Sequence, residues 1–224
     1  MIGAAALLCS VFALFQDSTV IALSPVDIPP QLQVNVDAQR TFGALLAQQL
    51  RAAGFRIVPP DTTAVVWLHA RDSLGGYFDT YTGKVIPAKR DSVMMTARRL
   101  LHDRHGADAW LRPAILVTGR PFTGGKVQWD GVEEESGGSG GLLEAFFGGT
   151  NVGTIPAASF LVSVEDLAGK EVYRGVGGIR LLARVRGKRL ETVLDALATP
   201  ERNAAAVHLA LDSLPAKLAP TRSP

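Results

Sequence analysis

The 224-residue sequence holds one cysteine. Cys9 lies in the leading apolar segment, so the rest of the chain has neither an internal disulfide nor a thiolate metal cluster. Charge is scarce and balanced: 20% of residues are charged and the formal net charge is +2. Whole-molecule attraction to nucleic acid is therefore not indicated, and no nucleic-acid partner is expected. The sequence has no HExxH pair, which removes one common hydrolase signature. Apolar residues, by contrast, make up 47% of the chain. That suffices for one core of ordinary size and does not suggest disorder.

The run from Ile2 to Phe15 carries no charge. It is short of the roughly 20 residues that cross a bilayer and matches the h-region of a signal peptide. Val11 and Ala13 satisfy the small-residue rule for cleavage, although no Lys or Arg precedes the run. Residues 1–18 therefore read as a signal peptide or an apolar N-terminal segment, with a periplasmic or outer-membrane-associated location expected. Ala6-Leu7-Leu8 places Leu before Cys9 where lipoprotein signals take a small residue, which argues against a lipid anchor there.

One stretch organises the remainder. From Ile155 to Asp166, Phe160, Val162 and Val164 alternate with Ser159, Leu161, Ser163 and Glu165. This is the period of a strand with one buried face. Asp166–Lys170 reads as a turn with Gly169 at a positive φ, and Glu171–Val176 resumes extended structure as the second arm of a hairpin. Upstream, Thr19–Ser24 reads as a strand, Val36–Ala53 as a helix with the stripe Phe42, Leu45, Leu46 and Leu50, and Phe55–Pro60 as a strand closed by prolines. The spacing predicts a parallel βαβ unit.

Asp61–Ala70 fits a short helix, and a second is predicted from an Ser92 cap to Gly106 with Val93, Ala97, Leu100 and Leu101 inward. Ala107–Gly119 reads as a strand pairing antiparallel with Lys126–Val132 across Gly124-Gly125. Leu190–Leu197 reads as helical, and Thr199-Pro200-Glu201 opens a last helix with Ala204, Val207, Leu211 and Leu214 inward. The expected architecture is α/β: a mixed β-sheet flanked by amphipathic helices in two or three layers. One domain spans 19–218, with a flexible Gly-rich insert at 133–154 and a loose tail at 219–224.

The chemistry-bearing patterns are weak. Gly119-Arg-Pro-Phe-Thr-Gly124-Gly125-Lys126 resembles a phosphate loop, but no Ser or Thr follows the Lys and Val127 opens a strand rather than a helix. His102 and His105 stand three apart on a helix. Dipole capping accounts for them better than metal ligation, which needs a third ligand. His208 reads as a packed histidine. Asp61, Asp72, Asp79, Asp130 and Glu133–Glu135 supply carboxylates, but spacing alone brings no two together. No catalytic residue, metal ligand or cofactor is assigned.

The candidate contact residues are of another kind. They are the aromatic loop Tyr77, Phe78 and Tyr81; the insert residues Leu142, Leu143, Phe146 and Phe147, which either dock or fold back on the sheet; and the basic cluster Arg184, Arg186, Lys188 and Arg189.

The order of segments carries a resemblance. Val20-Ile-Ala-Leu-Ser-Pro leads to a helix ending Leu45-Leu-x-x-x-Leu-x-x-x-Gly-Phe-x-Ile-Val-Pro. A second helix leads to Gly106-Ala-Asp-Ala-Trp-Leu and Val117-Thr-Gly119. Phe160-Leu-Val-x-Val-x-Asp-x-x-Gly-Lys-Glu-Val-Tyr follows, and then an Ala-rich helix with Ala206-Val-x-x-Ala-Leu-x-x-Leu. Over roughly Val20 to Leu214 this is similar to bacterial envelope proteins of the CsgG-like and LpoB-like group, whose fold looks like the TolB N-terminal domain. The resemblance implies envelope work done by binding, with no catalytic residues to carry over. No long pair of alternating strands suited to a pore is visible. The expectation is a non-enzymatic, exported accessory protein that binds an envelope protein or the membrane surface, with self-association left open. The competing reading is a secreted hydrolase using loop carboxylates or the His102/His105 pair.

Overall fold

The computed structural model describes residues 19–32, 36–123, 125–137, 152–186, 189–214 and 218. Among the described residues, nine strands and four α-helices follow in the order β1 (Val20–Leu23), α1 (Val36–Ala52), β2 (Arg56–Val58), α2 (Pro60–Ser73), α3 (Pro87–His105), β3 (Ala109–Thr123), β4 (Lys126–Trp129), β5 (Val132–Glu135), β6 (Val152–Asp166), β7 (Glu171–Leu181), β8 (Ala183–Arg186), β9 (Arg189–Thr192) and α4 (Pro200–Leu211). The fold is α/β around a mixed sheet. β1 runs parallel to β2 and β3, while β6 runs antiparallel to β3 on one side and to β7 on the other. A hairpin of β4 and β5 leaves the end of β3, and β8 with β9 forms a separate two-stranded sheet.

Alternation along the strands sorts the core into faces. Ile21 and Leu23 of β1 join Phe160, Val162 and Val164 of β6 on one face, where α1 and α4 pack. There Phe42 stacks on Phe160 with ring centroids 5.1 Å apart and planes 10° from parallel. Val20 and Ala22 point to the opposite face, where Val66 and Ala70 of α2 and Val93, Ala97 and Leu101 of α3 cover them together with Trp110. All four residues of β1 are buried because helices lie on both sides of it. Further along, the second face is covered by the β4–β5 hairpin, whose Val127 and Trp129 pack with Ile155, Ala157 and Leu181.

The last helix sits close on β7. A Cβ at Gly175 would stand 2.0 Å from the Ala210 carbonyl oxygen, and one at Gly177 would stand 2.1 Å from that of Ala206. The two glycines therefore let helix backbone meet strand backbone. Tyr173 reinforces the contact by donating its hydroxyl hydrogen to the Ala210 carbonyl at 2.8 Å.

Several expectations need correction. α3 begins at Pro87, with Pro at its first position, and Ser92 lies inside it with its hydroxyl bonded to the Ala88 carbonyl at 2.9 Å. β3 pairs with β4 at one residue pair only, and its long antiparallel partner is β6. The acidic run Glu133–Glu135, read as the start of the insert, belongs to β5 and pairs with β4. Leu190 lies in β9, and Leu194–Leu197 is turn rather than helix. His208 is exposed, and α4 buries Asn203, Ala206 and Ala210 beside Val207 and Leu211. The inward face is thus shifted from Ala204, because the helix must meet the β7 glycines with its smallest side chains.

Gly177→Ala should lower unfolding stability by about 1–3 kcal/mol, the usual cost of forcing atoms into a filled contact. Gly43→Ala should do the opposite. A Cβ there meets nothing within 4 Å on α1, so a gain of about 0.5–1 kcal/mol is expected from helix propensity. Urea unfolding monitored by circular dichroism measures both.

Candidate functional site

The two covers on the second face do not meet. Between α2 and α3 at one end and the β4–β5 hairpin at the other, a cleft of about 530 Å³ opens onto the sheet. It lies beyond the carboxyl end of β1, where Ser24, Pro25 and Asp27 line it. The chain leaves β1 for α1 on one face and β2 for α2 on the other, a place where open α/β sheets commonly hold ligands.

The strand register lays out the floor in rows. Arg112 of β3, Ser163 of β6 and Arg174 of β7 are direct neighbours across three strands. The next row toward the hairpin is Ala114, Leu161 and Val176, which is apolar. On the other side, Glu165 pairs with both Trp110 and Glu171. The polar face of β6 expected from alternation is therefore the floor of this cleft.

Aromatic rings form one wall. Trp110 donates its indole hydrogen to the Ser24 hydroxyl at 2.7 Å. Trp67 stands 6.2 Å from Trp110 and 5.9 Å from Tyr77 by ring centroids, and Tyr77 contacts Phe78 at 4.5 Å. A short antiparallel turn holds the last of these. Phe78 bridges to Val85, and the Asp79 carboxylate accepts hydrogen bonds from the Tyr81 amide at 3.0 Å and the Thr82 amide at 2.7 Å. These bonds, the Thr82 amide first, hold the Asp79 carboxyl below its ordinary pKa. The turn leaves Tyr81 96% exposed.

Arginines are braced by carboxylates beneath them. Glu165, only 13% exposed, accepts from Arg112 at 2.8 Å and also from Arg98 of α3. Arg112 itself is 49% exposed, so its guanidinium faces the cleft. Arg174 grips Glu171 bidentately at 2.9 and 2.7 Å, and Ser163 donates to the same carboxylate at 2.8 Å. The Arg174 fork, followed by the Ser163 hydroxyl, lowers the Glu171 pKa. Thr63 also lines the cleft, and its buried hydroxyl has no partner among the described residues.

Of the residues singled out from sequence, Tyr77 lines this cleft and Phe78 packs against Tyr77, while Tyr81 is exposed and outside the lining. Arg184, Arg186 and Arg189 lie on the β8–β9 hairpin in the second sheet, exposed, with Arg186 paired to Glu191 at 3.2 Å. Leu142, Leu143, Phe146, Phe147 and Lys188 lie outside the described residues. His102 places its Nδ1 3.0 Å from the Ala107 carbonyl, just past the end of α3, so it contacts the segment after the helix and not the helix's own last carbonyls. Asp130 accepts from Arg120 and Ser159, each at 2.6 Å, and Glu133 is held below its ordinary pKa by Lys126. Among the described residues no group of three or more His, Cys, Asp and Glu side chains is placed to hold a metal ion. Sequence reasoning missed Trp67, Trp110, Arg112 and Arg174. The polar face of the Phe160 strand was the one available signal, because their meeting depends on strand register.

No protein-family model matches the chain, and no curated protein matches it. Among solved structures, the chain is similar to a hypothetical protein from Chlamydia trachomatis at 13% identity and a TM-score of 0.39, covering 89% of this chain and 98% of that one.

Removing the Arg174 brace should raise the Glu171 pKa toward the ordinary carboxylate range. A group with a depressed folded pKa stabilises fully above its unfolded value and loses that stabilisation as pH falls through the lower folded value. The Glu171 contribution should therefore vanish on the acid side, and at a higher pH in Arg174→Gln than in the native chain. A side-chain carboxyl NMR titration reads the midpoint directly.

Proposed function

We propose that this protein is a non-enzymatic accessory factor of the bacterial cell envelope, exported to the periplasm or the outer membrane, that works by binding a protein partner in this cleft. The observation that carries the binding reading is the cleft's composition. Trp67, Tyr77, Arg112 and Arg174 converge on one concave patch. Trp, Tyr and Arg are the residues that dominate the energetics of protein interfaces. The cleft's carboxylates suit the same role. Glu165 and Glu171 are each engaged by arginine forks, an arrangement that orients the guanidiniums over the floor. The hydrolase alternative gains no support from His102, whose Nδ1 already contacts a backbone carbonyl.

The envelope assignment rests on the apolar segment Ile2–Phe15 and on the resemblance to CsgG-like and LpoB-like proteins. Among the described residues no helix is long and apolar enough to cross a membrane.

Tyr77→Ala and Trp67→Ala should each reduce recovery of the partner. The readout is cross-linking in native cells followed by affinity capture of the tagged full chain. Loss of a central aromatic anchor is commonly worth about 2 kcal/mol, close to a thirty-fold drop in affinity. A cross-linked band retained at full strength in both folded variants would remove the cleft from consideration. A band at twice the chain's own mass would instead identify a second copy as the partner.

A further inference from the structure

All four residues of β9 are exposed. On one edge β9 meets β8, and among the described residues no strand joins its other edge. The hydrogen-bond pattern shows which backbone groups this leaves over. The Val193 amide donates to the Leu182 carbonyl at 2.9 Å, so these two residues form a hydrogen-bonded pair of the hairpin. Such pairs alternate with non-bonded ones along an antiparallel ladder. Arg184 with Glu191 and Arg186 with Arg189 are therefore bonded pairs, while Ala183, Val185, Leu190 and Thr192 turn their backbone groups outward. β8 uses its outward groups, since the Val185 amide donates to the Ser136 carbonyl at 2.6 Å. β9 has no such neighbour. The Leu190 and Thr192 amides point to an open edge, a template for another strand.

The side chains along that edge are self-complementary. Leu190 shares a face with the buried Val185 yet stays 53% exposed, because it overhangs an apolar groove rather than the core. Arg189 and Glu191 lie on the opposite face. Arg189 stands directly across from Arg186, a like-charge pair that costs stability, and it forms no ion pair among the described residues. Glu191 is 55% exposed, with Arg186 at 3.2 Å. A second β9 running antiparallel along the open edge can be centred on any of the four residues. Centring on Arg189 or Glu191 sets like charges opposite each other, and centring on Thr192 leaves one residue pair inside the strand. Centring on Leu190 lets the two Leu190 residues exchange both backbone hydrogen bonds. It also sets Arg189 opposite Glu191 twice, at the closer non-bonded spacing of about 4.5 Å between Cα atoms.

We infer that β9 is a contact between two copies of this chain, paired antiparallel about a two-fold axis at Leu190. The two hairpins join into one four-stranded sheet. Arg189 of each copy meets Glu191 of the other, and the two Leu190 side chains cover each other on the groove side. The contact is isologous, so it closes at two copies. A four-residue edge is small beside the about 1,600 Å² of a standard interface, so association is reversible and depends on concentration. This surface lies on the second sheet, apart from the cleft, and goes beyond the partner-binding reading.

Sedimentation of the full chain over a concentration series reads the equilibrium. The mass should rise from one chain to two and no further. Arg189→Glu and Glu191→Arg should each weaken association at least ten-fold, because each sets like charges opposite one another. The double variant Arg189→Glu/Glu191→Arg should restore it. Both positions are exposed, so the variants fold. In a Cys9→Ser background, Leu190→Cys should give a disulfide-linked dimer on oxidation, since bonded partners stand about 5.5 Å apart at Cα. Glu191→Cys should not. A single chain at every concentration, unchanged single variants, or a double variant that fails to restore association would overturn the contact. So would assemblies larger than two. Hydrogen-exchange protection of the Leu190 amide at dilutions where the chain is single would assign the edge to the chain's own backbone instead. The dimer should persist in Trp67→Ala, and its loss there would move the second copy to the cleft. Partner capture is read in the Arg189→Glu background, where this dimer is absent, so the two readings fail separately.

Discussion

β3 and β6 pair along fifteen residue pairs, from Ala109 opposite Asp166 to Thr123 opposite Val152. At about 3.4 Å per residue such a ladder runs close to 50 Å. α2 and α3, with 14 and 19 residues, are about 21 and 28 Å long. Lying over β2, β1 and the start of β3, they cannot reach the far end of that ladder. The chain closes the far end with the β4–β5 hairpin instead, anchored by Trp129 and Val127. The cleft is the stretch of sheet left between two covers of different origin. Its existence follows from a mismatch of strand length and helix length rather than from any one side chain.

The two faces of β6 record the same asymmetry. Phe160, Val162 and Val164 are completely buried under α1 and α4, while Leu161, Ser163 and Glu165 stay partly accessible. Helix packing on the closed face is tight because Gly175 and Gly177 remove the side chains that would hold α4 away. Close packing on one face leaves the same three strands rigid enough to present ordered side chains on the other. A row such as Arg112, Ser163 and Arg174 needs that support, because each arginine is positioned by the strand beneath it.

Much of this was legible in the sequence. The β1–α1–β2 unit, the alternation of β6 and the Gly169 turn, found at φ 84°, follow from short-range pattern and local turn chemistry. Reading failed where tertiary contacts decide. Leu190–Leu197 has helical spacing, yet Leu190 pairs with Val185 in a hairpin that adds to the Val185 core. α3 starts five residues before the Ser92 cap because Pro87 at the first turn fixes φ without needing a side-chain cap. The cleft was hidden for a different reason. Arg112 is far in sequence from the hairpin that carries Ser163 and Arg174, and only the register of two antiparallel pairings sets the three side by side. A one-residue slip would move all of them to the other face.

The arginine–carboxylate network does more than neutralise charge. Arg98 projects from α3, and its bond to Glu165 ties the cleft's wall to its floor. Gly169 makes room for that guanidinium, since a Cβ there would stand 2.6 Å from Arg98 Nη1. Burying this pair is expensive in desolvation, and an apolar contact of equal volume would stabilise the fold at least as well. Its benefit is geometric. Because Glu165 also holds Arg112, the helix that sets the cleft's width and the arginine that faces its interior share one carboxylate. Any group that draws charge from Arg112 changes what Glu165 offers Arg98. The floor and the wall of the cleft are in this way parts of a single electrostatic arrangement.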